Sequence, residues 1–133
     1  MRAFTGLLFL AGVVSASDWW HSCSGSAIED GTATLHANCN VGDGAGTLTP
    51  SSLDLNACFA YDGAAIVPDT DGGFGASCSG CFTYDLPDPD YGACCGLVNP
   101  WLECTCDGRD VKTNLAKTQL TNNFGVLTCT TEG

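Results

Sequence analysis

Along most of this chain, apolar and polar residues alternate instead of recurring at helical spacing. In residues 34–39, Leu35, Ala37 and Cys39 fall on one side and Thr34, His36 and Asn38 on the other. That period of two marks a half-buried strand. Leu102, Cys104 and Cys106 alternate in the same way. No stretch of 11 residues keeps a helical pattern, although Thr49-Pro50-Ser51-Ser52 could start a short helical turn. The alternating runs are separated by Gly, Pro, Asp and Asn, and 17 of the 133 residues are Gly. A turn-rich all-β domain is expected.

The N-terminus breaks the alternation. Arg2 precedes an apolar run at residues 7–14 and the small residues Val14-Ser15-Ala16, with Ser15-Ala16-Ser17 as a shifted alternative. This is the arrangement of a secretory signal peptide. The run is too short to span a bilayer, and no later run approaches the needed length. The expected organisation is a signal peptide at 1–16 and one extracellular domain at 17–129. The formal charge of −11 argues against nucleic acid and anionic membranes as partners.

The domain repeats itself. Ser22-Cys23-Ser24-Gly25 recurs as Ser77-Cys78-Ser79-Gly80, each with an aromatic residue four positions before the Cys, Trp19 or Phe74. The strand ending at Cys39 is echoed by the one ending at Cys106, and Asp54-Leu55-Asn56 is echoed by Asn114-Leu115. The repeats span about 17–67 and 72–129, joined by the turn-forming Pro68-Asp69-Thr70-Asp71-Gly72-Gly73. The second repeat carries an insertion within residues 85–100, rich in Pro, Asp and Gly. Each half is too small to bury much core alone, so the two are expected to pack together, with exchange of strands an option.

These residues resemble a known family. SCSGSAIEDGTATLHANC followed by SSLDLNACFAYDG is similar to the first repeat of the cyanovirin-N homology family, and SCSGC, WLECTC and NLAKTQLTNNFGVLTC to a Cys-richer fungal form of the second. The resemblance implies an elongated pseudo-symmetric fold of triple-stranded sheets and β-hairpins shared between the repeats. It also implies a lectin for mannose-rich glycans, without catalysis, metal or cofactor. Glycans or glycoproteins are the expected partners, and the chain is expected to be a monomer or a domain-swapped dimer.

Ten cysteines suit a secreted disulfide scaffold. By symmetry and resemblance, Cys23 pairs with Cys39 and Cys78 with Cys106. Cys81 and Cys104 lie just inside the second bridge, where adjacent antiparallel strands would bring them together; Cys58 and Cys129 are left near the two repeat ends. A vicinal Cys94–Cys95 bridge is sterically demanding, so exchange with Cys81 or Cys104 stays open. The rival reading is zinc or redox chemistry at Cys78-Ser79-Gly80-Cys81 and Cys104-Thr105-Cys106, a weaker fit behind a signal peptide. The aspartates at 85–90 and 69–71 lack the EF-hand pattern with its closing Glu. His21 and His36, the two histidines, sit in no nucleophile motif, so an enzyme is not expected.

Sugar hydroxyls call for short, fixed hydrogen-bonding groups on a rigid scaffold. The resemblance places a first pocket at Asp18, His21, Ser22, Asn40, Val41, Asn122, Asn123 and Phe124. A second pocket is placed at Tyr61, Asp62, Ser77, Asp107, Arg109 and Asp110, beside Gly72 and Gly73. Asp18 stands where the family has a basic residue, Phe124 where it has an acidic one, and a one-residue deletion precedes Gly63. The second pocket is favoured, with Arg109 and Asp62 as its polar anchors. Trp101 is either a stacking platform for a sugar ring or part of the core, with core or partial burial preferred. Because both pockets depart from the family pattern, the alternative reading is a secreted structural or effector-like interaction protein that keeps the fold but has lost sugar binding.

Overall fold

A computed structural model of the chain describes residues 19–90 and 96–129. The signal-peptide segment, Asp18, Cys94 and Cys95 lie outside the described residues. A short helix, α1 (Trp19–Ser22), leads into a three-stranded antiparallel sheet of β1 (Cys23–Ile28), β2 (Thr34–Asn40) and β3 (Leu48–Asp54). A 3₁₀ turn (Leu55–Ala57) follows, then the hairpin of β4 (Phe59–Tyr61) and β5 (Ile66–Pro68). The second half repeats this order. The 3₁₀ turn Phe74–Ala76 precedes the sheet of β6 (Cys78–Pro87), β7 (Val98–Cys106) and β8 (Arg109–Asn114). The 3₁₀ turn Leu115–Lys117 then leads to the hairpin of β9 (Leu120–Asn123) and β10 (Val126–Cys129). Residues 49–52, expected as a possible start of a helical turn, instead run within β3. There Ser51, Ser52 and Leu53 pair with Ala37, His36 and Leu35, because tertiary pairing overrides a weak local start signal.

The repeated sequence is a repeated geometry. Asp54 and Asn114 each cap their 3₁₀ turn by accepting a backbone N–H two residues on, from Asn56 and Ala116 respectively. Cys23 lies opposite Cys39 and Cys78 opposite Cys106. Just beyond each, the register shifts by a bulge at Ser24-Gly25-Ser26 and at Ser79-Gly80-Cys81. Gly25 and Gly80 hold φ of 66° and 63°, a backbone open to glycine and strained for other residues. In the second repeat the bulge sets Cys81 beside Cys104, and these two form a disulfide; the first repeat has Ser26 and Ala37 at the equivalent positions of the sequence.

The repeats complete each other. Trp19 is buried, and its Nε1 donates to the Leu115 carbonyl of the opposite repeat at 3.1 Å. At the equivalent position, buried Phe74 meets Phe59 of the first repeat edge to face, ring centroids 6.3 Å apart. Leu127 N donates to Ser51 Oγ at 2.9 Å, seating the second repeat's hairpin on the first repeat's sheet. Thr113 Oγ1 donates to the Ile66 carbonyl at 3.3 Å, tying the first hairpin to the second sheet. One core results, with Leu35, Leu55, Phe59, Leu102, Leu115 and Leu120 fully buried among the bridged cysteines.

The seam folds back onto the first repeat. Asp71 N donates to the Ala57 carbonyl at 3.0 Å, Gly73 N to the Asn56 carbonyl at 2.9 Å, and Gly75 N to Asn56 Oδ1 at 2.7 Å. Gly72 lies so close to the Phe59 carbonyl that a Cβ there would sit 2.3 Å from its oxygen. The insertion lengthens the β6–β7 hairpin, with Asp85, Leu86 and Pro87 pairing with Pro100, Asn99 and Val98. Buried Asp88 holds it down. With the Asn99 amide nitrogen turned toward the carboxylate, Asn99 donates to Asp88 Oδ2 at 3.2 Å and accepts from Asn114 Nδ2 at 3.1 Å.

Four disulfides join the described cysteines: Cys23–Cys39, Cys78–Cys106, Cys81–Cys104 and Cys58–Cys129. The CxxC and CxC cysteines are therefore bonded to one another in two bridges, and the zinc and redox readings of them fall. Cys58–Cys129 spans 71 residues and crosses between repeats, whereas Cys81–Cys104 is nested within the loop that Cys78–Cys106 already closes. Chain-entropy arguments give the long bridge about 4 kcal/mol. Replacing Cys58 and Cys129 with Ala is expected to lower unfolding stability in urea by about that amount. The same change at Cys81 and Cys104 should cost markedly less, and equal losses would contradict this ranking.

Candidate functional site

The second pocket forms where the first repeat's β4–β5 hairpin meets β8 of the second. Arg109 opens β8 after the Asp107-Gly108 turn, in which Asp107 adopts φ of 53° and Gly108 79°. An Asp-Gly pair suits this tight hairpin turn. From there Arg109 Nη2 donates to Tyr61 Oη and to the Gly63 carbonyl, both at 2.6 Å. The guanidinium thus bridges the repeats, and its remaining N–H donors are left at an exposed surface. Asp107 N donates to the Ser77 carbonyl at 3.3 Å, which brings those two residues together beside it. Asp110 is exposed, next to Arg109 on β8.

Asp62 serves the hairpin turn and forms no ion pair with Arg109. Its Oδ1 accepts from Ala64 N and Ala65 N, both at 2.8 Å. These backbone donors, Ala65 foremost and then Ala64, hold its carboxyl below the usual carboxylate value. The Gly63 carbonyl is a site group that the residue types did not reveal, since a backbone acceptor leaves no signature in side-chain identity. The deletion just before it was the available signal.

In the first pocket the polar groups bind one another. Asn122, buried on β9, donates through Nδ2 to Ser22 Oγ at 2.9 Å and to the Asn40 carbonyl at 3.1 Å, and its Oδ1 accepts from Gly125 N at 2.8 Å. Asn40 Oδ1 accepts from Gly42 N at 2.7 Å. Ser22, Asn40 and Asn122 are therefore brought together. His21 instead lies exposed on α1 with its ring 4.8 Å from that of Trp20, and Asn123 is exposed at the hairpin end opposite Val126. Phe124 sits at the turn with φ of 53°, rare for a bulky residue, and is 69% exposed. Its ring reaches to 3.0 Å of where a Gly42 Cβ would stand. Val41 is half-buried beside them. Trp101 is half-buried on β7, its Nε1 enclosed and without an acceptor among the described residues.

One constellation escaped the sequence. Ser52 Oγ and His36 Nδ1 lie 2.6 Å apart, and His36 Nε2 and Glu29 Oε1 2.8 Å apart. Recognising β3 as a strand would have revealed it, because Ser52 pairs opposite His36. The His36 and Glu29 side chains are 44% and 56% exposed on the open face of the sheet. Water competes for such bonds, and an exposed pair of this kind is worth little. Among the described residues no group of three or more His, Cys, Asp or Glu is placed to hold a metal ion. Among them, too, no helix is long and apolar enough to cross a membrane.

Comparison with known proteins agrees with the observed all-β fold. The CVNH domain profile matches residues 19–128. The chain belongs to the CVNH family. Its fold is similar to the NMR structure of the CVNH protein of Gibberella zeae, with 23% identity and a TM-score of 0.66, over 85% of this chain and 97% of that one. It is also similar to a designed cyanovirin-N homolog lectin, with 21% identity and a TM-score of 0.62, over 87% of this chain and 99% of that one. No curated protein matches the chain at a significant level.

Because the folded-state pKa of Asp62 is lowered, its contribution to stability is full above the ordinary carboxylate value. That contribution is lost as pH falls through the folded value. Asn at this position keeps an amide oxygen for the same two N–H groups but does not titrate in this range. Thermal melts from pH 6 down to pH 2 should therefore show a shallower acid-side loss in Asp62→Asn than in the natural chain. Parallel curves would refute the bracing role of Asp62.

Proposed function

We propose that this chain is a secreted, non-catalytic lectin that binds mannose-type glycans, chiefly through the pocket at Arg109. The observation that carries this reading is the Arg109 bridge to Tyr61 Oη and the Gly63 carbonyl. It fixes a fork of donors beside the exposed acceptors Asp62, Asp107 and Asp110, on a rigid β scaffold. Vicinal hydroxyls need that mixture, donors on one side and carboxylates on the other. CVNH membership supports the ligand class, as does the likeness to a designed homolog that is itself a lectin. The folded-back seam and the Cys58–Cys129 bridge favour a monomer, since both hold the exchanged hairpins within one chain.

The first pocket favours a second reading, that of an interaction protein that has kept the scaffold and lost sugar binding. Its central amide, Asn122, is already bonded to Ser22 Oγ, the Asn40 carbonyl and Gly125 N, and an exposed Phe124 stands beside it. A glycan array followed by titration with oligomannose separates the two. The lectin reading expects binding that weakens at least about tenfold, or about 1.4 kcal/mol, in the Arg109→Ala, Asp62→Ala double variant. Arg109→Lys should weaken it too, because an ammonium cannot reproduce the fork. No binding to any glycan at millimolar sugar, or a double variant that binds as the natural chain does, would overturn it.

A further inference from the structure

The two-fold repeat builds a groove twice, and only one copy is furnished for a ligand. The first copy, of about 370 Å³, is lined by Trp20, Ser24 and Ser26 of the first repeat and by Thr83, Asp85 and Val98 of the second. The other, of about 380 Å³, lies at the equivalent place, where Gly75, Ser79 and Cys81 stand in the positions of Trp20, Ser24 and Ser26. No aromatic ring lines the second copy, and its Cys81 is locked in a disulfide. The difference comes from two local changes, a tryptophan before Cys23 and the lengthened β6–β7 hairpin that carries Asp85 and Val98 across to β1.

The furnished groove is amphipathic. Trp20 is half-buried, and its Nε1 is enclosed without an acceptor among the described residues. A buried, unpartnered N–H is costly, and Trp20 carries one at the wall of an open groove. Val98, 42% exposed, lines the same groove. Thr83 Oγ1 donates to the Ser26 carbonyl at 3.3 Å, holding the two strands at a fixed separation. Ser24 and Asp85 are exposed and offer a hydroxyl and a carboxylate. No Lys or Arg lines the groove, so anionic ligands have no counter-charge there and face a chain of net charge −11.

We infer that this inter-repeat groove is a further carbohydrate site, one that takes a neutral chain of β-linked pyranose units. A β-linked pyranose with equatorial substituents has an apolar ring face and a rim of hydroxyls. The face packs on Trp20 and Val98, and the hydroxyls meet Asp85 and the serine hydroxyls. The site is separate from the Arg109 and Asn122 pockets and draws on none of their side chains.

The test is an NMR titration of the full folded chain, ¹⁵N-labelled and disulfide-intact, with cellohexaose and chitohexaose, and separately with oligomannose. Three tryptophans give three indole N–H signals, so Trp20 reports on its own. The expected result is a shift of the Trp20 indole and the Thr83 and Asp85 amides by a β-linked hexamer, with Arg109 and Asn122 amides unmoved. Trp20→Ala should weaken that binding about tenfold. Asp85→Asn, an exposed and conservative change, should weaken it as well and covers the case in which Trp20→Ala misfolds. The Arg109→Ala, Asp62→Ala variant should bind the hexamer normally. Shifts at Arg109 with oligomannose and none at Trp20 with either hexamer, up to about 10 mM, the range of weak single-site sugar binding, would overturn the groove and leave the lectin reading standing. Shifts at Trp20 with no response to oligomannose at Arg109 would do the reverse.

Discussion

Trp19 and Phe74 occupy equivalent positions ahead of the two first cysteines, and each is buried against the opposite repeat. The indole of Trp19 reaches the carbonyl of Leu115, and Phe74 lies against Phe59. A unit of about 50 residues buries little core of its own. Each repeat lends its hairpin to the other's sheet and receives an aromatic anchor in return. The Leu127–Ser51 and Thr113–Ile66 hydrogen bonds follow from that exchange, as does the need for a bridge between Cys58 and Cys129.

The functional surfaces are products of the same exchange. Arg109 belongs to the second repeat and its acceptors Tyr61 and Gly63 to the first, so the pocket exists only because the β4–β5 hairpin lies across β8. Asn122 likewise reaches Ser22 and Asn40 from the far end of the chain. The groove at Trp20 is the third such junction, between β1 and the extended β6–β7 hairpin. Symmetry supplies paired places and local substitution differentiates them. Phe124 and the Asn122 network close one pocket inward, Arg109 opens the other outward, and Trp20 stands where its counterpart is Gly75.

Much of this was legible in the sequence because the repeat is written in residues with narrow conformational roles. Ser-Cys-Ser-Gly marks a bulge, since Gly25 and Gly80 need positive φ, and Asp54 and Asn114 mark capped turns. Alternation in residues 34–39 marked a strand, and the structure places its Cys39 opposite Cys23. Strand β3 was obscured because Thr49-Pro50-Ser51-Ser52 has weak local preference and is ordered by pairing with β2. That one ambiguity hid the Ser52–His36 contact. The turn-bracing role of Asp62 was also hidden, because the letter of an exposed aspartate does not say that its Oδ1 accepts from the backbone of its own turn. The Trp20 groove was invisible for a different reason, as it arises from strands more than 50 residues apart in the chain.

The exchange itself is open to a direct measurement. Native-state hydrogen exchange on the full chain with its bridges intact reports the free energy at which each N–H opens. If the repeats complete one another, the Trp19 indole N–H and the amides of Leu127, Leu35 and Leu102 open together, with one free energy and one denaturant dependence. Should the amides of one sheet exchange at a clearly lower free energy while those of the other stay protected, the halves would be independent units, and mutual completion of the repeats would not be what holds the fold together.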